Sequence, residues 1–236
     1  MSSIHVTGNA AQPNRLNWRN LDNFISNLGW DFKALQRYAS KIRRDVDGVN
    51  CPCQLSNQYA LPPSGELIRR IDFADGRQWV AKMDVVERPS PSWVQIELDT
   101  LAFVRSSTNV PVPRVFGYDL TGKESGVGTV VILMEYVPYD FAEDSFGGPR
   151  IHRGRLPDGI RWHFNQQLAN VQTQLASRRF NKIGALVYRN GRFDVGPIPN
   201  FGGPFNTAKG YFEALAEEFP TCGPRVTGPS GRFEIH

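Results

Sequence analysis

A turn signal between two apolar runs constrains this chain more than any other feature. Asp75-Gly76 stands between the runs GELIRRIDFA (65–74) and RQWVAKMDV (77–85). An Asp-Gly pair in that setting predicts an antiparallel hairpin with a two-residue loop. This register places Arg69 opposite Lys82. The sheet face that it predicts carries Ile71, Phe73, Val80 and Lys82.

The next segment brings a carboxylate near that lysine. Residues 92–105 predict a helix with an apolar stripe. The stripe consists of Trp93, Val94, Leu101 and Val104. Glu97 falls within it, and a carboxylate among apolar side chains is costly unless a cation pairs with it. One interpretation is an ion pair between Lys82 and Glu97. The other is a partly exposed glutamate at the helix rim, with the lysine reaching solvent at the sheet edge.

Helical and extended segments flank this unit. A helical pattern runs over 16–42, and basic residues before Asp47-Gly48 indicate its end. VPVPRVFGYD (110–119) predicts a stiff extended segment, because proline fixes its own φ and disfavours helix before it. The apolar, β-branched run in GVGTVVILMEYV (126–137) predicts a strand that is covered on both faces.

The chain changes character after Pro138. The sequence predicts an irregular segment to about residue 160, a helix over 160–181, a hairpin at Asn190-Gly191 and a short helix over 207–219. The predicted organisation is a flexible lead (1–15), a β-rich lobe with a preceding helix (16–137) and a mainly helical part (138–236).

Composition narrows the class of protein. The 27 basic and 23 acidic residues leave a net charge of +4, which gives no reason to expect nucleic acid as a partner. No apolar run reaches the roughly 18 residues of a membrane span, and the first residues do not form a secretory signal. Three cysteines are too few for a disulfide scaffold, and Cys51-Pro-Cys53 makes a poor metal site. We expect a cytoplasmic protein with no membrane partner and no metal site.

The order of lysine strand, glutamate helix and buried strand resembles the nucleotide lobe of kinases. The chain is similar to the aminoglycoside phosphotransferase-like family, in its fungal-type branch, over about residues 15–236. The resemblance rests on CPCQL (51–55), IDFADGRQWVAK (71–82), Glu97, VPVPRVFGY (110–118), ILMEYV (132–137), QLANVQTQLA (167–176) and FNKIGAL (180–186). It implies an α+β, protein-kinase-like fold. Such a fold has an antiparallel β N-lobe with one crossing helix, here joined to an incomplete helical C-lobe.

The resemblance also implies residue roles, with ATP as the cofactor. Lys82 would contact nucleotide phosphates and Glu97 would orient it. Val80 would touch the adenine ring, Met134 would line the back of the pocket, and Glu135 and Val137 would offer backbone hydrogen bonds. Gly65, in the segment PPSG (62–65), would lie in the turn that covers the phosphates.

The same family supplies its catalytic base and Mg²⁺ ligands from a His-x-Asp…Asn loop and a later aspartate. None of His5, His152, His163 and His236 begins such a motif. GRFEIH (231–236) resembles the strand that leads into that loop. The resemblance therefore implies a chain truncated before the catalytic loop, with no catalytic residue and no Mg²⁺ ligand.

Two classes of function remain open at this point. The first is a phosphotransferase-family protein, ancestrally an ATP-dependent kinase of a small-molecule hydroxyl, which is inactive as this chain. Its partners would be a nucleotide and a small-molecule acceptor. The second is a non-catalytic module that binds nucleotide or another protein. A fragment or a truncated gene model would also explain the missing loop.

Overall fold

The computed structural model of the protein describes residues 27–60, 66–85, 91–138 and 158–218. Its four helices within these ranges are α1 (Phe32–Asp47), α2 (Pro91–Ser107), α3 (Asp158–Ala176) and α4 (Ala208–Glu218). Its strands are β1 (Cys53–Ala60), β2 (Glu66–Phe73), β3 (Gln78–Asp84), β4 (Val115–Asp119), β5 (Val131–Glu135), β6 (Ala185–Arg189) and β7 (Arg192–Gly196). The predicted α+β class is confirmed.

The main sheet has five strands in the order β1-β2-β3-β5-β4, and every neighbouring pair is antiparallel. Helix α2 connects β3 to β4, and α1 precedes the sheet. The strands β6 and β7 form a separate two-stranded sheet.

Helix α1 begins and ends with identifiable caps. The Asp31 carboxylate accepts the backbone N–H of Ala34 at 2.9 Å, and Gly48 adopts φ +70° at the other end. The predicted exit at Asp47-Gly48 is confirmed. The predicted single helix over 16–42 is wrong in its described part, because Gly29 (φ +68°) and the Asp31 cap separate residues 27–30 from α1.

Helix α1 covers one face of the sheet and builds the larger core. Its buried residues pack on the inward side chains of β2, β3 and β5. The members of this core are Ala34, Leu35, Tyr38, Ala39, Cys51, Leu67, Ile71, Phe73, Trp79, Ala81, Met83, Val127, Val131 and Leu133. Apolar burial on this scale is the main term that stabilises such a layer.

Helix α2 covers the opposite face. Val94 and Leu98 pack on Val130 and Ile132, with Met134 partly buried beside them. Because Val131 and Leu133 face α1 while Ile132 faces α2, strand β5 is covered on both sides. The prediction of a doubly covered strand is confirmed.

The β2–β3 hairpin forms where the sequence predicts it, but its register differs by one residue. Ile71 pairs with Trp79 rather than with Val80, and Ile68 rather than Arg69 lies opposite Lys82. The loop has three residues, Ala74–Gly76, and Gly76 supplies the left-handed conformation (φ +84°) that closes it.

A shift of one residue exchanges the two faces of a strand. Ile71 and Phe73 therefore share the α1 face with Trp79, whereas Val80 and Lys82 point to the α2 side. The predicted face that combined all four residues is wrong.

The apolar stripe of α2 is also rotated from the prediction. Trp93 is 48% exposed, whereas Val94, Leu98 and Asp99 are buried. Helix periodicity alone predicts Asp99 on the solvent side. Asp99 is buried because its carboxylate accepts a hydrogen bond from the backbone N–H of Tyr188 on β6.

The later elements follow the sequence closely. Helix α3 begins and ends a few residues before the predicted bounds, and α4 matches its prediction. Asn190 and Gly191 both have positive φ, as the two-residue hairpin loop between β6 and β7 requires. The predicted lead (1–15), most of the irregular segment after Pro138 and the last residues from 219 lie outside the described residues. The predicted lobe boundary at 137/138 stays a prediction.

None of the helices in the described ranges is both long enough and apolar enough to span a membrane.

A hydrogen bond from Tyr38 joins α1 to β4, and the raised pKa of Tyr38 leads us to expect a loss of stability at alkaline pH. Its buried hydroxyl donates to the carbonyl oxygen of Tyr118 at 2.9 Å. Burial, aided by the charges of Glu124 and Asp119, raises the pKa of Tyr38 to about 12. The folded state thus holds the phenolic proton more tightly than the unfolded state, and this contribution is lost as pH rises from about 10 through about 12.

We expect denaturant unfolding at pH 9 and pH 11.5 to show this loss, on the order of 2 kcal/mol from Tyr38. Tyr38→Phe removes the titrating group, so its free energy of unfolding should fall less between the two pH values. Equal losses in the wild type and in Tyr38→Phe would contradict the assignment.

Candidate functional site

The α2 face of the main sheet carries a half-buried lysine that is held by an acidic helix residue. The Lys82 ammonium lies 2.6 Å and 2.7 Å from the two carboxylate oxygens of Glu97. The side chains of Lys82 and Glu97 are 17% and 37% exposed. Of the two interpretations above, the ion pair is therefore present, although Glu97 lies at the rim of α2 rather than inside its apolar stripe.

A second carboxylate reaches the same ammonium. Glu66, the first residue of β2, places one oxygen 2.9 Å from the Lys82 nitrogen. Burial alone would lower the pKa of Lys82, but hydrogen bonds and Coulombic attraction from Glu97 and Glu66 outweigh it and raise that pKa above its ordinary value. Lys82 is consequently a fixed positive charge at neutral pH.

Two apolar side chains extend the same face away from the lysine. Val80 lies two residues before Lys82 on β3 and has Met134 of β5 as its cross-strand partner. Both side chains are half-buried, and Met134 also packs on the α2 core. The site thus combines a cation at one end with an apolar floor beside it. Such a surface suits a flat ring that carries an anionic group.

The end of β5 borders this floor. The backbone N–H of Glu135 donates to the Arg114 carbonyl oxygen at 2.8 Å, and the Glu135 carboxylate accepts the Arg114 N–H at 3.0 Å. Any hydrogen bond from the Glu135 backbone to a ligand would therefore use its carbonyl oxygen. Val137 lies beyond the strand with an exposed side chain. Between them, the Tyr136 ring lies 5.8 Å from the Arg70 guanidinium.

Gly65 and the predicted phosphate-covering turn lie outside the described residues. Within the described ranges, no group of three or more His, Cys, Asp or Glu side chains is placed to hold a metal ion. We therefore assign no role to Mg²⁺.

The sequence did not identify two acidic residues of this region, Glu66 and Asp99. The predicted register placed Glu66 on the opposite face from Lys82, and a correct register would have revealed it. Asp99 is buried on α2, where its carboxylate accepts the Tyr188 N–H and the Gln95 side-chain amide, both at 2.8 Å. Nothing in the local sequence of α2 signals a partner 89 residues away.

Helix α2 is thus held from two sides. Val94 and Leu98 fix it on the main sheet, and Asp99 fixes it to the β6–β7 hairpin. Near the same end, Phe103 contacts the rings of Phe180 and Phe193 at centroid distances of 5.4 Å and 5.3 Å. These contacts determine where Glu97 stands relative to Lys82.

Comparison with known proteins shows a distant structural similarity and no match to a family or a curated protein. No protein-family model matches the chain. No curated protein matches it either. Among solved structures it is similar to one described as a "putative fructosamine-3-kinase from THERMOBIFIDA FUSCA YX-ER1", with 18% identity and a TM-score of 0.36. That match covers 67% of this chain and 46% of the other, so the chain spans less than half the length of that structure.

A similarity of this size does not assign the chain to a family. The α+β architecture and its antiparallel sheet are compatible with a kinase-like fold. The fungal-type branch and the missing catalytic loop stay predictions.

Proposed function

We propose that the chain binds an adenine nucleotide such as ATP on the α2 face of its main sheet, as the nucleotide-binding part of a small-molecule phosphotransferase. The observation that carries this proposal is the half-buried Lys82, which two oxygens of Glu97 hold beside an apolar floor. A lysine oriented by a helix glutamate in this way is the element that binds phosphate oxygens in kinases.

Each residue then has a defined task. Lys82 attracts the phosphates as a fixed positive charge, and Glu97 holds the ammonium in place. Val80 and Met134 contact the base, whose polar edge faces the backbone of Glu135 and Val137. Gly65, which lies outside the described residues, would contribute its backbone N–H to the phosphates.

Replacing Lys82 by alanine should abolish ATP binding. A ligand that binds the folded state raises its melting temperature by mass action. We expect millimolar ATP to raise the Tm of the wild type by several degrees and to leave that of Lys82→Ala unchanged. The matched control is Lys41→Ala, which removes a lysine from an exposed pair with Glu124 (2.9 Å) on another part of the chain. Equal ATP shifts in Lys82→Ala and wild type would contradict the site.

The wild type and Lys82→Ala also test whether the chain transfers a phosphoryl group. Because the sequence contains no His-x-Asp motif, we expect the chain to bind ATP without phosphorylating a small-molecule hydroxyl. ATP-dependent phosphorylation by the pure chain that is lost in Lys82→Ala would refute this part of the proposal.

A purely structural or protein-binding role is the second candidate, and one observation favours it. Lys82 has two carboxylate partners within the chain itself, so the ion pairs alone give the residue a reason to be there. No Tm shift of the wild type at millimolar ATP, with or without Mg²⁺, would refute nucleotide binding and argue for this second role.

A further inference from the structure

The apolar floor of the α2 face ends at a polar row of the sheet. On this face Arg70 of β2 lies directly opposite Val80 of β3, and Asp72 lies opposite Gln78 in the next row. Successive rows on one face are about 7 Å apart, because every second residue of a strand points the same way. The row of Asp72 and Gln78 lies on the side of Val80 away from Lys82. The floor is therefore bounded by Lys82 at one end and by polar side chains at the other.

The side chains at this polar end form one connected network. The Arg70 guanidinium contacts both carboxylate oxygens of Asp72, at 2.9 Å and 3.3 Å. The Gln78 amide donates to the same carboxylate at 2.8 Å, and the Tyr136 ring centroid lies 5.8 Å from the guanidinium. A contact through two oxygens restrains the orientation of the guanidinium as well as its distance. Hydrogen bonding to Asp72, with a smaller contribution from Tyr136, raises the pKa of Arg70, so a full positive charge faces the ring.

The contact between Arg70 and Tyr136 crosses the strand that lies between them. Arg70 belongs to β2 and Tyr136 follows β5, and both of these strands are neighbours of β3. Two strand spacings amount to about 10 Å, so the two long side chains meet above β3. Asp72 holds the guanidinium on the α2 face, which is also the face of Val80. The pair of Arg70 and Tyr136 therefore closes the floor at the end away from Lys82.

Tyr136 lies just beyond the part of β5 that the sheet holds. The pairing of β5 with β3 ends at Glu135, which lies opposite Trp79. Tyr136 follows directly, with a half-buried side chain, and precedes Val137. A cation at this distance attracts the face of an aromatic ring. Arg70 thus restrains Tyr136 at a position where the hydrogen bonds of the β3–β5 ladder no longer do.

We propose that Arg70 is a positioning residue for the base of the nucleotide, because it holds the Tyr136 ring as the end wall of the apolar floor. This inference rests on the proposed nucleotide-binding function. Lys82 acts on the phosphates, whereas Arg70 acts on the base through Tyr136. Since Asp72 pairs with the guanidinium at the end away from Lys82, we expect the same effect on ligands with and without phosphates.

The test is calorimetric titration of the wild type and of Arg70→Ala with ATP and with adenosine. We expect Arg70→Ala to bind both ligands about threefold to tenfold more weakly, because the ring loses its restraint. Lys82→Ala should show the contrasting pattern, in which ATP affinity is lost and adenosine affinity is kept. Arg70→Lys retains a cation without the two-oxygen contact to Asp72 and should lose less affinity than Arg70→Ala. Should Arg70→Ala fail to fold, Arg70→Lys and Tyr136→Ala carry the same comparison.

Arg69→Ala is the matched control. Arg69 precedes Arg70 on β2 and points to the opposite face, where its guanidinium lies 4.5 Å from the Phe32 ring. This variant removes a similar arginine–aromatic contact without touching the floor, so its affinity for adenosine should equal that of the wild type. The double variant Arg70→Ala/Tyr136→Ala tests the route of the effect. If Arg70 acts through Tyr136, the double variant binds adenosine no more weakly than Tyr136→Ala alone.

Failure of this inference is distinguishable from failure of the proposed function. If the wild type binds ATP through Lys82 but Arg70→Ala binds ATP and adenosine with unchanged affinity, the positioning role is wrong and the nucleotide site stands. A loss confined to ATP also overturns the role, as do equal losses in Arg69→Ala and Arg70→Ala, additive losses in the double variant, or a wild type that binds ATP but not adenosine. If the wild type binds neither ligand, the proposed function fails and the inference fails with it.

Discussion

Replacing Asp119 by alanine should lower the free energy of unfolding by about 3–5 kcal/mol, one of the two largest losses we expect in the chain. Asp119 ends β4, and its buried carboxylate organises the loop to β5. One oxygen accepts the N–H groups of Thr121 and Gly122 and the Thr121 hydroxyl, at 2.9–3.0 Å. The other accepts the Ser125 N–H at 2.7 Å. Alanine would leave three backbone donors without this acceptor.

The asparagine variant gives a graded comparison. Asp119→Asn keeps one acceptor oxygen for Thr121 and Gly122 but presents an amide donor to the Ser125 N–H. We expect it to lose about half as much stability as Asp119→Ala. Glu124→Gln, which changes an exposed carboxylate in the same loop, should lose less than about 0.5 kcal/mol. A similarly small loss in Asp119→Ala would refute the assignment.

The pH dependence of this site has a definite sign. Burial alone would raise the pKa of Asp119, but the N–H groups of Ser125 and Thr121 outweigh it and hold that pKa below its ordinary value. A carboxylate with a lowered pKa stabilises the fold above the unfolded value of about 3.8. Its contribution is lost as pH falls through the folded pKa, and the acid unfolding of Asp119→Ala should lack this component.

Arg43→Ala should cause a comparable loss, about 3–5 kcal/mol. The Arg43 side chain is 1% exposed and forms ion pairs with Asp47 and Asp75. Its guanidinium also lies 5.4 Å from the Phe73 ring and 5.8 Å from the Trp79 ring. Alanine would remove this packing, leave a cavity in the α1 core and separate two carboxylates from their shared cation.

Denaturant unfolding of three variants distinguishes packing from charge. Arg44→Ala, at the next and 58% exposed position, should lose less than about 0.5 kcal/mol. Arg43→Met restores volume without charge and should be more stable than Arg43→Ala. The Arg43 Nε is buried without a hydrogen-bond partner, so methionine also removes an unsatisfied polar atom. If Arg43→Ala and Arg44→Ala lose equal stability, the buried arginine is not an anchor of this core.

The sequence located the hairpin, but the predicted pairing was wrong by one residue. Asp75-Gly76 identifies a turn equally well for a two-residue and a three-residue loop, and the choice depends on which residue takes positive φ. The alternation of apolar and charged side chains along β3 indicates the correct register. Trp79, Ala81 and Met83 form an apolar set, whereas Lys82 and Asp84 lie on the other side. Matching that set to Ile71 requires the three-residue loop.

The Lys82–Glu97 pair was predictable because it depends on local order and on the cost of an unpaired charge. The position of Glu66 was not, since an error of one residue in the register moved it to the wrong face. The burial of Asp99 depended on a strand that lies far away in sequence, so helix periodicity alone placed this residue in solvent. The order of residues along the chain therefore predicted the Lys82–Glu97 pair, whereas the positions of Glu66 and Asp99 depend on tertiary contacts.

The contact between Asp99 and Tyr188 also orders events during synthesis. The two residues are 89 positions apart, so every strand of the main sheet leaves the ribosome before the β6–β7 hairpin does. Until then Val94 and Leu98 can pack on the sheet, but the hydrogen bond from the Tyr188 amide cannot form. Closing the loop between Asp99 and Tyr188 costs conformational entropy, which the contacts between α2 and the β6–β7 hairpin offset. The contact that completes the placement of the Glu97 helix therefore becomes available only after the whole main sheet has been synthesised.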